Sequence, residues 1–163
     1  MGTIIQFPAS VSATPPAPPP AMSVEYFHML RSRIIDKCAE IECQVGTLIK
    51  RSEHIGKLPK ATPLGQKVAL LRDHGPPPGL PPRRERALFA VLDGIASILE
   101  LRGTLSHSTL SLGQMDGQPV FLLSEPMDQF GKLDRRVVLT REQLELALKR
   151  VNDLANRLNQ LAA

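Results

Sequence analysis

A chain of 163 residues with 42% apolar side chains is long enough to bury one substantial core, and a single domain is the default at this size. Aromatic residues make up only 4% and tryptophan is absent, so the core must be Leu, Ile, Val and Ala, which argues for helices and against a β-sandwich. A net charge of +4 suits contact with nucleic acid or another anion.

Residues 1–21 read as a disordered Pro-rich tail. Thr3-Ile4-Ile5-Gln6-Phe7 is a short apolar β-like run, suited to docking on the sheet edge of a protein partner. Pro15-Pro16-Ala17-Pro18-Pro19-Pro20 extends as polyproline II and cannot build a packed core. There is no basic n-region with a continuous apolar h-region behind it, and no run of transmembrane length. The expectation is a cytoplasmic protein without membrane contact.

A long first helix is predicted from Ser23, a capping residue, to about Arg51, with Glu25 favourable in its first turn. Phe27, Leu30, Ile34, Cys38, Ile41, Val45 and Leu48 fall at steps of three and four, a strongly amphipathic pattern. Beside it runs a second stripe, Ile35, Cys38, Glu42, Val45 and Ile49, which places an acid among apolar neighbours. Cys38 and Cys43 point in different directions on such a helix. They give neither a disulfide framework nor zinc-ligand spacing, and read as reduced structural thiols.

Residues 52–61 form a basic loop. Thr62-Pro63, an N-cap followed by proline at the first helical position, opens a short helix to about Arg72 that buries Leu64, Val68 and Leu71. Gly75-Pro76-Pro77-Pro78-Gly79-Leu80-Pro81-Pro82 is a stiff connection. Arg83, Arg84 and Arg86 follow it, as candidate phosphate contacts or as a plain solvated first turn.

The central helix is predicted over Leu88–His107. Leu88, Leu92, Ile95 and Leu99 step by 4, 3 and 4, and Val91, Ile95 and Ile98 by 4 and 3; both series, extended once, land on Arg102. Residues at those spacings share a face. A guanidinium on an inward face is costly unless paired, and Glu42 is the expected partner.

Beyond His107 the period alternates. Thr109-Leu110-Ser111-Leu112 and Val120-Phe121-Leu122-Leu123 flank Asp116-Gly117, a hairpin-turn dipeptide, and Pro119 confines its strand to an edge. Residues 125–136 look irregular. Thr140 and Gln143 form a capping box for a last helix whose core face is Leu144, Leu148, Val151, Leu154 or Ala155, Leu158 and Leu161. The expected fold is all-α: an up-and-down bundle of about four helices with a small β-hairpin inserted before the last. His28, His54 and His74 have no ligand spacing, so no metal or other cofactor is predicted.

The segment Leu101-Arg102-Gly103-Thr104-Leu105-Ser106-His107-Ser108 resembles the motif of the HEPN family (higher eukaryotes and prokaryotes nucleotide-binding), an arginine with a histidine a few residues on. The likeness extends loosely to the long first helix and to Leu64-Gly65-Gln66-Lys67, making residues 22–163 the domain. It implies a homodimer that joins two motifs in one cleft and cuts RNA without a metal, as toxin and defence ribonucleases do. Arg102 would then bind the scissile phosphate, with His107 as general acid or base; a fork of fixed donors and a ring that titrates near neutrality suit those roles. Gly103 stands where the family usually has Asn, Asp or His. The alternative is a non-catalytic helical module binding protein, nucleotide or RNA, in which Arg102 and Glu42 are a structural pair.

Overall fold

The computed structural model describes residues 23–52, 55–59, 61–124 and 136–162. The expectations for residues 1–21, and nearly all of the stretch expected to be irregular, lie outside them.

Helix α1 (Val24–Arg51) forms as its periodicity requires. The Ser23 side chain accepts the Tyr26 N–H at 3.1 Å, and Phe27, Leu30, Ile34, Cys38, Ile41, Val45, Leu48 and Ile49 are all buried. Helix α2 (Leu64–His74) buries Leu64, Val68 and Leu71. Its N-cap is Pro63; the Thr62 hydroxyl donates to the Pro59 carbonyl at 2.8 Å and caps nothing. Gly75, at φ 84, ends it.

The expected central helix is broken in two, α3 (Pro82–Ala96) and α4 (Leu99–His107). Between them the Ile98 N–H bonds the Ile95 carbonyl at 3.0 Å, a three-residue spacing, and Ser97 Oγ donates to the Gly94 carbonyl at 2.7 Å. Side-chain competition for a helical carbonyl and one tightened turn make the break, while Ile98 stays 4% exposed, still in the core.

The β-region exceeds the expected hairpin. Strands β1 (Thr109–Met115), β2 (Gln118–Ser124) and β3 (Arg136–Leu139) form an antiparallel sheet in the order β1-β2-β3. Asp116 (φ 52) and Gly117 (φ 75) supply the two left-handed residues of the β1–β2 turn. Pro119 sits on the central strand, not on an edge strand. Among the described residues β3 pairs only with Phe121 to Ser124, so the flank at Pro119 has no ladder partner there and the proline is tolerated.

Helix α5 (Arg141–Ala162) opens with the full capping box: the Thr140 N–H donates to the Gln143 side chain at 2.8 Å, and the Gln143 N–H to Thr140 Oγ1 at 3.2 Å. It lies antiparallel to α3, with Arg84 near Gln160 and Gly94 against Leu154. It starts at the same end as α1, where Tyr26 meets Glu145. The alternation of a strict up-and-down bundle, in which first and last of four helices start at opposite ends, is therefore not kept. The sheet closes this end of the core, with the Phe27 and Phe121 rings 5.0 Å apart.

Candidate functional site

Helix α4 packs on α1 and carries both residues of the sequence motif. Arg102 is half-buried. Its charge is felt by Cys38, whose thiol is pushed up by burial and only partly drawn back by the guanidinium. His107, the last residue of α4, is exposed. The helix runs unbroken through Gly103, so five residues of helix turn His107 about 140° away from Arg102 around the axis. Within one chain the two groups stand on different sides of α4.

A second arginine stands at the end of α4, one that the periodicity does not single out. Arg31, on α1, donates from Nη2 to the Ser106 carbonyl at 3.3 Å, and Ser106 Oγ donates to the Arg102 carbonyl at 2.8 Å. A guanidinium at the C-terminal turn of a helix is electrostatically favoured there. Arg31 follows Leu30 on the flank of the apolar stripe, a position that looks like ordinary solvated surface. Ser108 Oγ, just past the helix, is buried and has no hydrogen-bond partner among the described residues.

The expected pair of Glu42 with Arg102 is not formed. Glu42 Oε1 instead lies 2.8 Å from Lys67 Nζ on α2, with the two side chains 31% and 15% exposed. The reason is geometric: α2 passes along the Glu42 side of α1 and brings Lys67 to it, whereas the charge of Arg102 is felt on α1 one helical turn earlier, at Cys38. This ion pair forms part of the wall of a cleft of about 990 Å³ between α1, the connection after it and α2, lined also by Cys43, Gly46, Lys50 and Lys57.

Arg83, Arg84 and Arg86 are exposed on the first turns of α3. Arg84 donates from Nη2 to the Gln160 carbonyl at 2.9 Å, near the end of α5, so one of the three expected phosphate contacts also ties two helices together. None of the three joins the α4 group through a described contact. Where α1 and α5 begin, Tyr26 donates to Glu145 Oε1 and Arg141 Nε does the same at 2.6 Å, with the Arg141 guanidinium 5.2 Å from the Tyr26 ring centre. Among the described residues there is no cluster of three or more His, Cys, Asp or Glu that could hold a metal. No helix among them is long and apolar enough to cross a membrane. Comparison with protein-family models gives no match, and no curated protein or solved structure matches the chain.

Proposed function

We propose that this chain is a HEPN-like helical protein, a cytoplasmic homodimer that binds RNA through Arg102 and His107 and cleaves it without a metal, in the manner of toxin and defence ribonucleases. The observation that carries the reading is the state of Arg102. It is a half-buried guanidinium on a face whose pattern asks for leucine, and the carboxylate expected to neutralise it is held by Lys67. Such a cation is suited to a phosphodiester, with Arg31 one turn along as a second positive charge. Since His107 points away from Arg102 on the same helix, the reacting phosphate would be gripped by Arg102 of one protomer with His107 of the other as proton donor or acceptor. The test is cleavage of RNA in EDTA that leaves 2′,3′-cyclic phosphate ends. Arg102→Ala and His107→Ala should each lower it at least 100-fold, and activity retained in either variant overturns the catalytic reading.

The continuity of α4 through Gly103 favours a second reading, a non-catalytic RNA-binding module of the same shape. It gives RNA binding that depends on Arg102, no cleaved product, and no effect of His107→Ala.

A further inference from the structure

Among the described residues the sheet ends in an open edge: β1 pairs with β2 on one side only, and its sequence, Thr-Leu-Ser-Leu-Gly-Gln-Met, contains no charge and no proline. Edge strands are ordinarily blunted by Lys, Pro, a bulge or a covering element, because their free N–H and C=O groups template further pairing. The opposite edge, β3, is four residues long and begins with Arg136. On β1, Leu112 is 46% exposed although it stands in the row that faces the core: it is opposite Phe121, which is fully buried and in turn opposite Leu139. That row is unfinished where β1 ends the sheet.

One segment of the chain has the pattern to finish it. In Thr3-Ile4-Ile5-Gln6-Phe7, which no part of the proposed function uses, Ile5 and Phe7 have the same two-residue spacing as Leu110 and Leu112, the spacing that shares one side of a strand. The start of α1 lies at the sheet, since Phe27 packs on Phe121. A strand added to β1 would lie two strand spacings, about 10 Å, from β2. The connecting residues 8–22 are rich in proline, and a polyproline II stretch of that length would span about 45 Å, enough for the segment to reach the edge of its own chain. A tether of that length holds it at an effective concentration in the millimolar range.

We infer that residues 3–7 dock in cis on the free edge of β1 as a fourth strand, with Ile5 and Phe7 covering Leu110 and Leu112. Amide hydrogen exchange on the full chain, on a chain lacking residues 1–8, and on an Ile5→Ser/Phe7→Ser variant tests this, with light scattering at low and high protein concentration. The expected result is exchange of the β1 amides at least tenfold faster in both altered chains, unchanged exchange in the middle of α1 and α5, and no dependence of the difference on concentration. Equal β1 exchange in all three chains overturns the inference. So does protection that appears only at high concentration with a doubled mass, which would assign the edge to a second copy.

Discussion

Glu42 and Lys67 form an ion pair 2.8 Å long between α1 and α2, and it occupies the carboxylate that the sequence pattern directs toward Arg102. With 31% and 15% exposure the pair lies between the surface and the buried regimes. Removing one partner should therefore cost about 1–2 kcal/mol, above exposed pairs and below fully buried ones. Glu42→Gln and Lys67→Met, measured singly and together by chemical denaturation, should show the double change costing less than the sum. Strict additivity would mean the two charges do not interact in solution.

Much of the fold is legible because the signals are local. The seven-residue stripe of α1, the Asp116-Gly117 turn and the Thr140–Gln143 capping box all appear where short-range chemistry puts them. The break at Ser97–Ile98 is not legible, since the apolar period runs through it and Ile98 is buried on both counts. Nor is the partner of Glu42: which of two distant cations reaches a carboxylate depends on how helices pass one another, and spacing within a helix says nothing of that. Strand β3 escapes notice because four residues, Arg136-Val137-Val138-Leu139, are too few to establish an alternating period.

Two glycines sit inside helices without a conformational need for them. Gly46 and Gly103 are helical, not left-handed, and a methyl group at either would meet nothing within 4 Å. Gly46→Ala and Gly103→Ala should each stabilise the protein by about 0.5–1 kcal/mol through helix propensity alone, raising Tm by about 2–4 °C per kcal/mol. Thermal unfolding checks this. A Gly103→Ala chain that is more stable and weaker in RNA binding would show that the open space beside Arg102 belongs to the ligand.

The contact between Tyr26 and Glu145 gives the fold a predictable pH dependence. The Tyr26 hydroxyl, then Arg141, holds the Glu145 carboxyl below its ordinary 4.5, and the same hydrogen bond holds the Tyr26 phenol above its ordinary 10.0. A depressed carboxyl contributes stability that is present above 4.5 and lost as pH falls through the lowered value. A raised phenol contributes stability that is present below 10 and lost as pH climbs past the raised value. Tyr26→Phe should flatten both limbs in denaturation curves taken across pH, with little change in the ratio between pH 6 and 8.

The two cysteines should separate cleanly by reactivity. Cys38 is 2% exposed and its thiol is pushed up by burial, whereas Cys43 is exposed beside the cleft. Alkylation at pH 8 should label Cys43 promptly and leave Cys38 unmodified until denaturant is added, read by peptide mass spectrometry. Equal labelling would mean that α1 and α4 part readily at Arg102.

Arg102 itself allows a test that separates structure from function. If the guanidinium were there for the fold, replacing it with an unbranched apolar chain would lose a needed charge and destabilise the protein. The half-buried face beside Cys38 argues otherwise: Met fills a similar volume, continues the apolar row of Ile95 and Ile98, and removes a charge that is costly to desolvate. Arg102→Met should therefore be as stable as the parent chain or about 1 kcal/mol more so. At the same time one phosphate contact disappears, so the slope of log binding constant against log salt for RNA should fall by about 1. A gain in stability bought with a loss of binding is the mark of a charge kept for a ligand. A destabilised Arg102→Met chain with its salt slope intact would return Arg102 to the scaffold.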